Sequence, residues 1–244
     1  MNIRRLASTL SALAMLGGLV LVPSALQAAD ATTATAPRVA HTPRVATEKS
    51  GVDCRKVRCV ALTYDDGPST HTPRLLRTLH RTHAHATFFV LGQEVEKRPE
   101  LLRQVARGGH EVGVHTWAHQ NLTRVSSSAA LADLRRTKAI IARHTGRPVT
   151  LSRPPYGATN PAVRAAEHRA GLTEVLWTVD TNDWRDRNAG LVTRRVLSSV
   201  RANSVVLMHD IHPTTVDAAP AIIAGLKRRG YHLVTVSQLP AYRR

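Results

Sequence analysis

From Gly51 onward, short β-branched or apolar runs alternate with helix-length amphipathic stretches, and this alternation restricts the fold more than any other feature of the chain. The strand-like runs are 59–64, 86–91, 110–115, 149–153, 174–179, 204–209 and 232–236; helical patterns fill 73–81, 99–107, 128–144, 161–170, 190–200 and 217–229. Pro73, Pro99 and Pro161 stand in first turns, and Gly108, Gly146, Gly171 and Gly230 follow last turns, as helix starts and stops require. Strands joined by helical crossovers run parallel.

A parallel set of this kind forms either an open doubly wound sheet or a closed, shortened (β/α) barrel. The polar residues favour the barrel. Asp65 and Asp66 follow the first strand, His115 and His119 the third and Arg153 the fourth; Asp180 and Asp183 follow the fifth, and His209 and Asp210 the sixth. An open sheet would strand the first and sixth groups far apart. A barrel brings all of them to one mouth, at the carboxyl ends of its strands.

The leader has a different character. Arg4 and Arg5 precede an apolar stretch over about 10–22, then Pro23 and small residues up to Ala28 and Ala29, the order of an export signal. The stretch is shorter than the roughly 20 apolar residues that cross a bilayer, so 1–29 is read as a cleaved signal peptide that leaves no stable membrane anchor. Residues 30–50, rich in Ala, Thr and Pro, read as a flexible linker, and 51–244 as the folded domain. The expected location is secreted, at the cell wall.

The 244-residue chain carries a formal net charge of +17, most of it after Gly51. Such a surface attracts polyanions, and anionic cell-wall polymers are the expected partners of an exported protein. With aromatics at only 4%, base stacking is poorly served, so no nucleic-acid partner is expected. Cys54 and Cys59, the only two cysteines, flank the first strand. In an oxidising compartment a disulfide between them is the first expectation, and a metal pair the alternative.

Two adjacent carboxylates, Asp65 and Asp66, repel each other unless a cation or a proton intervenes. His115-Thr-Trp-Ala-His119 offers two imidazoles four residues apart, and with one carboxylate they complete the open three-ligand set of a catalytic zinc site. One aspartate would bind the ion and leave the other free as a base. Hydrolysis also needs an acid, for which His209 is placed, while Arg153 is a cation fit to tune a carboxylate. A metal-dependent phosphoesterase would suit the positive charge, but such enzymes commonly hold two ions.

The segments TYDDGP (63–68), HTWAH (115–119), RPPYG (153–157), DTNDW (180–184) and LMHD (207–210) resemble, in order and spacing, the five motifs of the polysaccharide deacetylases, carbohydrate esterase family 4. The resemblance spans about 60–239. It implies a distorted (β/α)7 barrel and metal-dependent removal of an acetyl group from a glycan, most often from N-acetylglucosamine. It further implies Asp65 as general base and Asp66, His115 and His119 as ligands of one divalent metal: Zn2+, with Co2+ or Ni2+ also admitted by the donor set. Arg153 would tune the base, Asp183 would tune His209 as general acid, and the Tyr156 backbone N–H would help hold the oxyanion. Trp184, Leu207, Pro154 and Tyr156 would line the acetyl pocket. Tyr64 stands where the family more often has Phe.

The basic domain on its tether suits peptidoglycan or a chitin-type oligosaccharide better than neutral acetylated xylan. An acetylxylan esterase, or a non-catalytic cationic wall-binding protein on the same fold, are the alternatives. Loss of Asp65 or His209 would mark the latter, and both are present. Trp117, Arg185 and His212 adjoin motif residues, where sugar contact or a plain surface role are both open.

Overall fold

The computed structural model describes residues 51–243; the expected signal peptide (1–29) and linker (30–50) lie outside the described residues. At the centre is β1 (Cys59–Asp65), buried along its whole length. On one edge it pairs with β7 (Ser204–His209). The other edge is shared between β2 (Thr87–Val90), beside Thr63–Asp65, and β8 (His232–Leu233), beside Cys59 and Val60. From β2 the sheet continues through β3 (Glu111–Val114) and β4 (Leu151–Ser152) to β5 (Thr173–Glu174), while β6 (Val179–Asp180) pairs with β7. Every pairing is parallel.

The run 174–179, expected as one strand, is broken: its two ends, β5 and β6, sit at opposite ends of the order β5-β4-β3-β2-β1-β7-β6. A flat sheet in this order would hold its outermost strands nearly 30 Å apart at about 4.8 Å per step. The short link from Glu174 to Val179 reaches less than about 20 Å even when extended. The sheet therefore has to curl until its edges almost meet. Counting the broken strand once, the fold is a distorted (β/α)7 barrel, in agreement with the seven runs of the sequence.

Outside the sheet lie α1 (Thr72–Arg81), α2 (Gly92–Lys97), α3 (Pro99–Arg107), α4 (Ser127–Thr145), α5 (Pro161–Arg169), α6 (Asp183–Asp186), α7 (Ala189–Ser199) and α8 (Pro213–Arg228). Local chemistry sets their ends. Ser126, Asn160 and Asn188 accept the backbone N–H of Ala129, Val163 and Leu191 as N-caps, and Gly146 closes α4 at φ 64°. Two short helices, α2 and α6, were not legible as periodic stretches.

Side-chain alternation divides the core in two. Val60, Leu62 and Tyr64 of β1 face the helices with Phe88, Val90, Val206 and Met208, whereas Cys59 and Ala61 face the barrel interior with Phe89, Leu151, Val175 and Val205. Polar groups at the carboxyl ends continue the inner columns: Asp65 above Ala61 and Thr63, Arg153 above Leu151, and His209 above Val205 and Leu207. Gly113 on β3 admits this packing, since a Cβ there would lie 2.6 Å from the Phe89 ring. Cys54 and Cys59 are joined, with an S–S distance of 2.03 Å.

Candidate active site

The inner column of β1 ends on Asp65, whose side chain is buried. Strict alternation would turn Asp66 outward, toward the helices. Instead Asp66 takes a left-handed backbone, φ 72°, and both carboxylates approach the same imidazole: Asp66 Oδ1 is 3.5 Å and Asp65 Oδ2 3.8 Å from His115 Nε2. His119 Nε2 is also 3.5 Å from Asp66 Oδ1.

The three groups Asp66, His115 and His119 place one ligand atom each within 4.8 Å of one another. Asp66 Oδ1 is buried and has no hydrogen-bond partner among the described residues, a costly state unless a cation compensates it. Donors bound at about 2.0–2.1 Å to one tetrahedral ion lie about 3.4 Å apart, which the two 3.5 Å separations match. The residues therefore fit a small divalent ion. His115 Nδ1 lies 2.7 Å from the Arg153 carbonyl. With its Nδ1–H donated there, the Nε2 lone pair faces the cluster. Burial, the largest influence, lowers the His115 pKa to about 3, so the ring is the neutral ligand that a metal requires.

The loop that carries both histidines is held from outside. Thr116 and His119 are left-handed, at φ 65° and 58°. The amides of Gly92 and Gln93, opening α2, donate to the Thr116 and Trp117 carbonyls, and the Trp117 amide donates to Asp133 Oδ1 on α4. Trp117 packs on Gly92, where a Cβ would meet its ring at 2.3 Å, and the Arg136 guanidinium stacks on it at 3.3 Å. Its ring thus serves the loop.

Arg153 is fully enclosed by partners. Its guanidinium donates to Asp65 Oδ1 at 2.8 Å and to Thr63 Oγ1 at 2.7 Å, and to the carbonyls of Val175 and Leu176 at 3.1 and 3.3 Å. It also lies 4.2 Å from the Phe89 ring centroid. One side chain thus orients Asp65 and satisfies carbonyls in the break between β5 and β6. Burial raises the Asp65 pKa and the Arg153 charge opposes it; the net direction is upward.

Across the mouth, His209 ends β7. Its Nδ1 is 2.8 Å from Asp183 Oδ1, while Asp183 Oδ2 accepts the His209 backbone N–H and the Thr215 hydroxyl. Burial disfavours the imidazolium, but the hydrogen bond and charge of Asp183, with Asp65 and Asp66 adding, lift the His209 pKa to about 9. Asp180 has a plainer part, accepting the Asn182 amide in a turn.

Tyr156, left-handed at φ 63° and 68% exposed, sets its ring edge-on to His119 with centroids 4.5 Å apart. Trp184 is half exposed on α6, whereas Leu207 and Pro154 are buried. His212, buried, has its ring 5.9 Å from that of His209, and Arg185 pairs with Asp186 on the surface. Asp210 had no assigned role from the sequence. It is wholly buried, accepts the Thr72 hydroxyl, and through its carbonyl takes the Ser69 hydroxyl at 2.8 Å. A Cβ on Gly67 would lie 2.4 Å from its Oδ1. It latches the turn after Asp66 to the end of β7. Only its place beside His209 in LMHD could have signalled this.

The polysaccharide deacetylase model matches residues 53–175, which hold Asp65, Asp66, His115, His119, Arg153 and Tyr156. The chain belongs to the polysaccharide deacetylase family. Among its relatives, the peptidoglycan-N-acetylglucosamine deacetylase PgdA of Listeria monocytogenes is 43% identical over 181 residues, 74% of this chain and 38% of that protein. The chain thus spans about two fifths of the length of such curated relatives. The solved peptidoglycan deacetylase PdaC of Bacillus subtilis superposes with a TM-score of 0.73 at 42% identity, over 79% of this chain and 94% of that one. A family 4 pseudoenzyme from Bacillus anthracis superposes with a TM-score of 0.72 at 28% identity, over 75% and 65%. Since this polysaccharide deacetylase fold is shared with a pseudoenzyme, activity has to be argued from the site.

Proposed function

We propose that the chain is an exported, divalent-metal-dependent deacetylase of N-acetylglucosamine residues in a wall glycan, peptidoglycan before chitin-type oligosaccharides, releasing acetate. One observation carries this reading: the unpartnered, buried Asp66 Oδ1 faces two imidazole nitrogens at the mouth where Asp65 and His209 also converge.

A divalent ion on Asp66, His115 and His119, zinc by the chemistry of the donors, would supply a Lewis acid that polarises the acetyl carbonyl and acidifies the attacking water. Asp65 is the general base. Arg153 holds its Oδ1, leaving Oδ2 toward the mouth, and a pKa raised by burial makes it a better proton acceptor than a solvated carboxylate. The water loses its proton to Asp65 as its oxygen bonds to the acetyl carbon. The Tyr156 backbone N–H donates to the developing oxyanion. His209, kept protonated by Asp183, then gives its proton to the amide nitrogen; the C–N bond breaks, leaving the free amine and acetic acid, which loses its remaining proton to water and leaves as acetate. Trp184 and Leu207, with Pro154 and Tyr156, wall the pocket for the acetyl methyl.

The family likeness to peptidoglycan deacetylases and the +17 charge support an anionic wall as the substrate's setting. Acetate release should be measured from peptidoglycan, N-acetylglucosamine oligomers and acetylxylan, with chelator and with zinc restored. The reading expects release from the first two, lost with chelator and regained with zinc. Release that survives chelation refutes the metal, and release from acetylxylan alone refutes the substrate.

A further inference from the structure

At the opposite end of the barrel from the cluster, a groove of about 660 Å³ runs between α1, the turn after it and the end of α3. Its walls precede the amino ends of β2 and β3, whereas the metal-ligand candidates follow the carboxyl ends of β1 and β3. No carboxylate lines it. Arg77 and Arg81, exposed and four residues apart on α1, make no ion pair or hydrogen bond among the described residues, while the neighbouring Arg74, Arg98 and Arg103 each pair with a carboxylate. Like charges at this spacing repel. His80, His83 and His85 add exposed imidazoles to the same groove.

A second observation is independent of surface charge. His110 lines the groove, is only 4% exposed, and its Nδ1 has no hydrogen-bond partner among the described residues. A buried imidazole with an unpartnered nitrogen, in the wall of a groove that also carries two unpaired arginines, fits an oxygen-rich anion held there. Among anionic polymers the choice is a phosphodiester chain without bases: no Trp, Tyr or Phe lines the groove to stack a nucleobase.

We propose that this groove binds the phosphodiester backbone of an anionic wall polymer, of the poly(glycerol phosphate) type, holding the enzyme on its matrix while the catalytic mouth stays free. The deacetylase reading bears on where the polymer is met, not on whether the groove binds it.

The test measures binding of purified poly(glycerol phosphate) to the zinc-treated protein at about 0.15 M salt. The variants are Arg77→Gln/Arg81→Gln and, as a charge-matched control on α7 and α8, Arg194→Gln/Arg228→Gln. Acetate release from a small N-acetylglucosamine oligomer is followed in parallel. The groove variant should weaken binding at least tenfold and the control less than threefold, and the polymer should shift the His83, His85 and His110 ring resonances. Equal losses in both variants, no binding by the parent protein, or equally tight binding of duplex DNA would each overturn the proposal. Acetate release should be the same in the parent and both variants. Its absence from all three, with groove binding intact, would sink the deacetylase reading alone.

Discussion

Arg153→Met tests whether one buried cation both orients Asp65 and braces the broken strand. The substitution keeps an unbranched apolar stem but strands four acceptors: Asp65 Oδ1, Thr63 Oγ1 and the Val175 and Leu176 carbonyls. Removing one partner of a buried ion pair costs about 3–5 kcal/mol. Each orphaned buried carbonyl adds about 1–3 kcal/mol. Asp65 can escape part of the first cost by taking a proton, a direction in which burial already pushes it. A net loss of at least about 4 kcal/mol is therefore expected, a large share of the roughly 5–15 kcal/mol that stabilises a domain. Urea unfolding of the metal-free protein at pH 7 reads it without interference from zinc. Asp65→Asn removes the charge, so the double variant Arg153→Met/Asp65→Asn should be more stable than Arg153→Met alone. A loss under about 1 kcal/mol in the single variant, or no recovery in the double, would refute both roles.

Three further outcomes follow from the same geometry. Asp183→Asn removes the main influence that opposes the burial of His209 and leaves only the weaker pull of Asp65 and Asp66, so its pKa should fall from about 9, with acetate release at neutral pH reduced on the order of 10²–10⁴-fold; an unchanged His209 NMR titration would contradict this. Tyr64→Phe deletes a buried hydroxyl that has no partner among the described residues, while the ring keeps its stacking on Phe88. A gain of about 1 kcal/mol, or about 2–4 °C in Tm, is expected by calorimetry, and a lower Tm would show that the hydroxyl is satisfied. In the metal-free protein, His209, Glu167 and Asp210 have pKa values raised to about 9, 8 and 7, the first by Asp183 against its burial and the other two chiefly by burial. The folded chain then holds more protons than the unfolded one above pH 6.5, so stability should decline between about pH 6.5 and 9; a urea midpoint that rises over that window would contradict these shifts.

Much of this was legible in the sequence because the chemistry sits at strand ends. Parity along β1 is enough to send Asp65 inward with Ala61 and Thr63, and the runs that carry His115, Arg153 and His209 end in the same sense. The break between β5 and β6 was hidden because residues 174–179 read as one apolar run; only the pairing of β5 with β4 and β6 with β7 separates them. Helices of six and four residues, α2 and α6, are too short to show a period. The turn of Asp66 toward the mouth rests on a left-handed backbone that composition does not announce. Asp210 and the bracing by Arg153 depend on partners distant in sequence: Thr72 lies 138 residues from Asp210, and Val175 lies 22 residues beyond Arg153. Such pairings exist only once the barrel has closed.

The division of labour between the two adjacent aspartates is tested most directly by one comparison, zinc content and acetate release measured together on the parent protein, Asp65→Asn and Asp66→Asn. Asp65→Asn should keep about one zinc per chain and lose acetate release from N-acetylglucosamine oligomers by at least about a hundredfold, as expected for a lost general base. Asp66→Asn should lose both. An Asp65→Asn protein that releases acetate at the parent rate, or one that fails to hold zinc while Asp66→Asn retains it, would contradict the assignment of base and ligand.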